Sequence, residues 1–291
     1  MSQLVQLRQK IRSIQTTKKV THAVRLISMS LYGKLEKINR PLESYTDQVK
    51  KVFLETLVQA PESWHSDMLF PADTLNSRPL YIVIGTSKGL CGGLNSNLFK
   101  FTESAIQIES HQTPTFIAIG LKAVAFVKEK DWGDLICSYG DLNSNNFLAI
   151  ADDIIGRIAD APLPYSSVTF CHNIAKSFFS QTPRKTTLIP VQQDLLYSGQ
   201  ITIDQSSDDL IWEQDKEAIL DYLAVSYVRC AITHLLFEAL RAEHAARFLA
   251  MENSNNNAEK YLETLTLQFN KLRQTLITRE VSEFSASFPV R

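Results

Sequence analysis

The residues best placed by type and spacing to do chemistry are Gly85-Thr86-Ser87-Lys88-Gly89-Leu90-Cys91-Gly92-Gly93, which follow an apolar run and precede a helical pattern. Backbone N–H groups at such a strand-to-helix turn could hold a phosphate. The spacing fails both specific forms of that chemistry: no Gly-Lys-Ser/Thr closes the loop, and no Gly-x-Gly-x-x-Gly occurs in it. The reading that remains is a structural turn whose glycines supply tight backbone geometry. Cys91 beside it could act as a nucleophile, but no His or acidic partner can be assigned to it, so it reads as a small buried residue. Asp152-Asp153 could be paired carboxylates, yet two adjacent acids on an amphipathic helix face water. The histidines form no ligand pair, and Cys91, Cys137, Cys171 and Cys230 are too far apart for a C-x-x-C site, so neither a metal nor a cofactor is expected. Widely spaced cysteines fit a reducing compartment.

These residues must be carried by elements that the apolar pattern defines. From Ile201 to Phe288 there is neither Gly nor Pro, which predicts a long helix. Ile219, Leu223, Ser226, Cys230, Thr233, Phe237, Leu240, His244, Phe248, Met251, Asn255, Ala258, Leu262, Leu265, Phe269, Leu272 and Leu276 form a heptad seam with one stutter at His244. The N-terminal segment repeats the pattern with Leu4, Leu7, Ile11 and Ile14, then Val24, Ile27, Leu31, Leu35, Ile38, Leu42, Tyr45, Val49 and Val52. Pro41 should kink that helix or begin a new one. A helix over 209–284 would be roughly 110 Å long and one over 1–55 roughly 80 Å, so the C-terminal helix must run past an antiparallel partner.

Between them, strands are expected at Leu80–Ile84, Thr115–Ile119, Ser167–His172 and Thr186–Pro190, with helices at about 93–109, 121–130 and 146–159. The fold class is therefore mixed α+β and α/β: a long antiparallel coiled coil of the terminal helices plus a small Rossmann-like, mostly parallel α/β domain. The expected divisions are a shaft helix at 1–58, a linker at 59–77, the α/β domain at 78–200 and a second shaft helix at 201–291.

Net charge is −1, which argues for no nucleic-acid partner, but residues 1–35 hold seven Lys or Arg and no acid. A local negative partner fits that end, as does a solvated basic face. The start has no continuous apolar leader, and no run approaches the roughly 18 apolar residues of a membrane span, so membrane association would come through a partner. The polar intervals Thr16-Thr17-Lys18-Lys19 and Asn253-Ser254-Asn255-Asn256-Asn257 read either as contact sites, bends or loops, or as register devices.

Those intervals lie in stretches that resemble the gamma subunit of rotary F-type ATP synthases. Ile11-Arg12-Ser13-Ile14-Gln15-Thr16-Thr17-Lys18-Lys19-Val20-Thr21-His22-Ala23-Val24 looks like the family's N-terminal signature. The stretches 242–253 (AEHAARFLAMEN) and 267–280 (LQFNKLRQTLITRE) are similar to its C-terminal helix, and 89–97 (GLCGGLNSN) to its central motif. The resemblance implies a non-catalytic central rotor shaft, without cofactor, that couples transmembrane ion flow to ATP synthesis or hydrolysis. Its implied partners are the alpha and beta subunits of the catalytic ring, the epsilon subunit and the c-ring. Its implied place is the cytoplasmic face of a bacterial inner membrane, as a peripheral protein. Carried over by motif as contacts with acidic and catch loops of the beta subunits, or as support between the shaft helices, are Lys18, Lys19, Val24, Arg247, Arg273, Gln274, Thr278 and Glu280. Departures at His22, Val24, Leu31-Tyr32-Gly33 and the C-terminal end suggest a divergent or second-copy member. A nucleotide-handling enzyme using residues 85–93 and a static coiled-coil scaffold are the competing expectations.

Overall fold

A computed structural model describes residues 2–61, 63–66, 68–71, 78–109, 113–162, 164–191 and 215–287. In chain order the elements are α1 Ser2–Val58, β1 Pro79–Ile84, α2 Leu94–Glu109, β2 Thr115–Ile119, α3 Leu121–Lys130, β3 Asp134–Tyr139, α4 Phe147–Ala159, β4 Ser167–Ser177, β5 Ser180–Ile189 and α5 Lys216–Ser287. The chain forms two compact units, one of residues 1–30 with 247–291 and one of residues 31–246.

In the larger unit the sheet order is β3-β2-β1-β4-β5, parallel except for the antiparallel β4–β5 hairpin. Alternation along the strands sorts side chains onto two faces. Tyr81, Val83, Phe116, Ala118 and Cys171 pack with α2 and α3. Ile82, Ile84, Ile117, Ile119 and Phe170 instead join α4 and the facing parts of α1 and α5 in the main core. One α5 window is apolar enough to pass as a membrane span by composition, but 61% of it is buried in the fold. Core packing against the sheet accounts for that composition, since α5 is enclosed on nearly every side over 232–247.

Two expectations change, and at Pro41 no new helix begins. The strand β3 was not anticipated; it is a sheet edge whose register slips between Phe116 and Ile117, so that Leu135 packs with one face and Cys137 and Tyr139 with the other. The slip leaves Ile136 opposite no partner and 42% exposed. The last two strands are longer than expected and form a hairpin through Phe178-Phe179. Pro41 lies within a continuous α1. Its side chain is exposed, while the neighbours Asn39 and Leu42 face inward, so packing on either side holds the helix through one missing backbone bond.

The N-terminal seam also differs. One stripe of inward positions in α1 runs through 4, 7, 11, 14, 18, 21, 25, 28, 32, 35, 39, 42, 46, 49, 53 and 56, an uninterrupted three-four alternation, with Val24, Leu31 and Leu54 also turned inward beside it. The expected Ile27, Ile38, Tyr45 and Val52 lie one residue off it and are 59%, 47%, 59% and 47% exposed. Thr21, Ser28, Thr46 and Thr56 take seam places because each hydroxyl donates to a backbone carbonyl one turn back, at 3.0, 2.9, 2.9 and 2.7 Å. On α5 the expected stutter region has no two-position seam, because the helix there is buried almost all round. Farther on, Met251, Asn255, Ala258, Leu262, Leu265, Phe269, Leu272 and Leu276 are inward as expected.

In the smaller unit, Lys18 pairs with Glu259 at 2.8 Å and Arg25 pairs with Glu252. Residue number rises by seven on α1 while it falls by seven on α5, which fixes an antiparallel register. Leu265, 3% exposed, then sits level with the turn that carries Ile11 and Ile14. Leu265→Asp buries an unpaired carboxylate and should cost on the order of 3 kcal/mol in that unit. Hydrogen exchange should rise in both 2–30 and 247–287 while the β-strand amides stay protected. A rise confined to 247–287 would overturn the pairing.

Candidate partner interface on the shaft helices

Residues carrying the polar intervals come together in the smaller unit. Gln15, Lys19, His22 and Asn255 line an open cleft of about 780 Å³ beside the Lys18–Glu259 pair. Hydrogen bonding from Lys18 holds the Glu259 carboxyl below its usual range, and Arg25 donates to His22 Nδ1 at 3.1 Å. Lys18 is thus tied to the opposite helix, whereas Lys19 is exposed; Val24 is half-buried and Arg247 only 8% exposed. The partners of Lys18 and Arg25 escaped the sequence reading, although the matching seven-residue spacing of Glu252 and Glu259 is visible in the chain.

Arg273, Gln274, Thr278 and Glu280 form a separate, exposed group on α5. Continuing the ion-pair register residue by residue, Ser2 stands level with Thr275. From Leu276 onward, therefore, no described α1 residue lies alongside. Ile277, Val281 and Phe284 follow at helical spacing and are 51%, 59% and 68% exposed. On that end the apolar stripe runs between Arg273 and Glu280 on one side and Gln274 and Thr278 on the other.

The glycine turn lies where the sheet order reverses between β1 and β4, the crevice in which doubly wound domains take ligands. Here its groups serve one another. Asn95 Oδ1 accepts from Thr86 N–H at 3.1 Å, Asn95 Nδ2 donates to Thr86 Oγ1 at 2.7 Å, and Thr86 Oγ1 donates to Lys88 O at 2.8 Å. Gly120, at φ 90°, allows the next loop to close on the turn: a Cβ there would lie 2.5 Å from Gly85 O. Cys91 and Leu94 pack against Ala246 of α5, which buries that side of the turn. No group of three or more metal-ligating side chains occurs among the described residues.

Antiparallel pairing of the chain's two ends, and an α/β domain built on a five-stranded sheet, define the class of fold. The ATP synthase family model matches residues 3–288. The ATP synthase gamma chain of Francisella tularensis strain WY96-3418 is 30% identical over 97% of both chains. That of Variovorax paradoxus is 30% identical over 96% of this chain and 94% of its own. The fold resembles a rotor chain of the Euglena gracilis mitochondrial ATP synthase (TM-score 0.63, 18% identity, 95% of this chain and 99% of that one). It also resembles a chain of the central stalk and c-ring of the Tetrahymena thermophila enzyme (TM-score 0.58, 21% identity, 80% and 98%). The chain belongs to the ATP synthase gamma-chain family, and is a non-catalytic rotor subunit.

His172 is a core residue of the larger unit, fully buried on β4 with Nε2 3.2 Å from Thr186 Oγ1. Burial, with Arg184 and His234 adding repulsion, pushes its pKa down to about 4. The unfolded chain takes up this proton near pH 6.5 and the folded chain only near pH 4. Stability should therefore fall as pH drops through that window, by up to about 3 kcal/mol. Urea melts between pH 7 and 4 should show the slope, and His172→Leu should reduce it.

Proposed function

We propose that this chain is the central shaft of an ion-translocating ATP synthase or ATPase, turning within a ring of alpha and beta subunits and standing with epsilon on a c-ring. It is held by these partners at the cytoplasmic face of a bacterial inner membrane. The observation that carries the reading is the C-terminal end of α5, where Arg273, Gln274, Thr278 and Glu280 are exposed and α1 runs out beside them. A stiff helix with unlike stripes presents a different face to each site around it. Rotation can then bias each site among its conformations through differential contacts, and the coupling is reciprocal at equilibrium.

The eight residues divide by their settings. Lys19, Arg273, Gln274, Thr278 and Glu280 are the ring contacts, with Arg273 making charge-assisted bonds to a carboxylate of a beta-subunit loop. Lys18, Val24 and Arg247 support the shaft itself, since they are inward or paired. A nucleotide enzyme is disfavoured because the turn lacks both phosphate-binding spacings and Asn95 already takes up the Thr86 N–H.

Reconstitution with alpha, beta and c subunits tests the assignment. Arg273→Ala should reduce ions pumped per ATP hydrolysed several-fold, while the isolated chain melts within about 0.5 kcal/mol of the parent. Unchanged pumping with unchanged assembly would remove Arg273 from the interface. The purified chain alone should neither bind nor hydrolyse ATP at micromolar concentration, and a static chain during turnover would favour a scaffold instead.

A further inference from the structure

The geometry points to a second partner contact, on the larger unit: Arg241 and the Phe178-Phe179 hairpin tip form a socket for a partner loop that carries a carboxylate beside an apolar side chain. Arg241 is partly exposed as a residue, yet its Nε and Nη1 are sealed from water and make no hydrogen bond. Its one hydrogen bond is a long one, Nη2 to Ala175 O at 3.5 Å, near the end of β4. Among the described residues no carboxylate ion-pairs with it; Glu36 and Arg241 both act on Tyr32, whose pKa burial and Glu36 raise and Arg241 lowers. Two unmatched guanidinium donors are unfavourable, and a carboxylate would satisfy them through a two-pronged contact.

The neighbouring surface supplies the apolar half. Tyr32 meets Phe178 edge-on at 4.9 Å, and Phe178 meets Phe179 edge-on at 5.3 Å. Phe179 is 77% exposed, the largest exposure of any bulky apolar side chain among the described residues. A two-residue hairpin turn has no internal need for two phenylalanines, since turns favour Gly, Asn, Asp and Ser. An aromatic residue beside an unpaired arginine is the composition of an interface hot spot. Arg241 keeps partial exposure, which leaves its guanidinium a side for an incoming carboxylate to meet. Hence the occupant is an acidic loop rather than a free anion, which would leave Phe179 uncovered.

The inference rests on the chain working within the proposed complex, and the test separates the two. Phe179 is replaced by a photo-crosslinking phenylalanine analogue in the assembled complex, with ion pumping per ATP measured on the same sample. Normal pumping upholds the rotor reading whatever the crosslink shows. The socket predicts a crosslink to a peptide of another subunit containing Asp or Glu. Its yield should fall at least five-fold in Arg241→Gln, recover in Arg241→Lys, and recover in Arg241→Glu when the crosslinked acid is changed to Lys. A crosslink unaffected by Arg241→Gln, one confined to the Glu36 region of this chain, or none at all overturns the socket. If Arg241→Gln fails to assemble, the Arg241→Glu exchange decides: no recovery with the matching Lys overturns it.

Discussion

The rest of the structure depends on burying α5. A helix of 72 residues without Gly or Pro is not stable in water by propensity alone; it forms because its apolar residues find cover. Two kinds of cover are used. In the larger unit Ala224, Val228, Ile232 and Leu236 enter the main core against the sheet face carrying Ile82 and Phe170. In the smaller unit a narrower seam from Met251 to Leu276 is covered by the start of α1. One covalent element thus belongs to two cooperative units, which suits a part that must carry a mechanical load through both.

The same requirement brings α5 beside the glycine turn of a sheet whose type often takes nucleotides. The order β3-β2-β1-β4-β5 creates a crevice at the β1–β4 reversal, and the turn after β1 is rich in glycine. Topology supplies such a place, but only the side chains around it decide its use. Asn95 satisfies the backbone and hydroxyl of Thr86, and Ala246 of α5 covers Cys91 and Leu94. The glycines serve close packing, with Gly120 the position where a side chain would strike the turn.

Polar groups carry the specificity along the shaft. Leucine and isoleucine seams tolerate sliding by a heptad, because the residues met after the slide are much the same. The Lys18–Glu259 and Arg25–Glu252 pairs, with Thr21 and Asn255 inward between them, distinguish one register from the next. Such exposed or half-exposed pairs contribute little net stability, so their value lies in orientation.

The sequence by itself determined that two long helices bracket an α/β domain, because heptad spacing, β-branched runs and the absence of breakers act locally and leave little choice of element. It also determined the late seam of α5, where only one stripe is apolar. Tertiary structure decided between the two stripes of α1: Ile38, Tyr45 and Val52 read as seam, yet Asn39, Thr46 and Phe53 face inward. The reason is that an uninterrupted heptad from Leu4 must stay aligned with its cover, and hydroxyls bonded to their own helix are cheap to bury. The edge strand β3 likewise exists through pairing with β2, having half-exposed residues and no strong pattern of its own. Arg241 is an ordinary helical arginine in the sequence. Only tertiary packing, which brings it to Ala175 of β4, seals two of its donors, because desolvation is a property of neighbours.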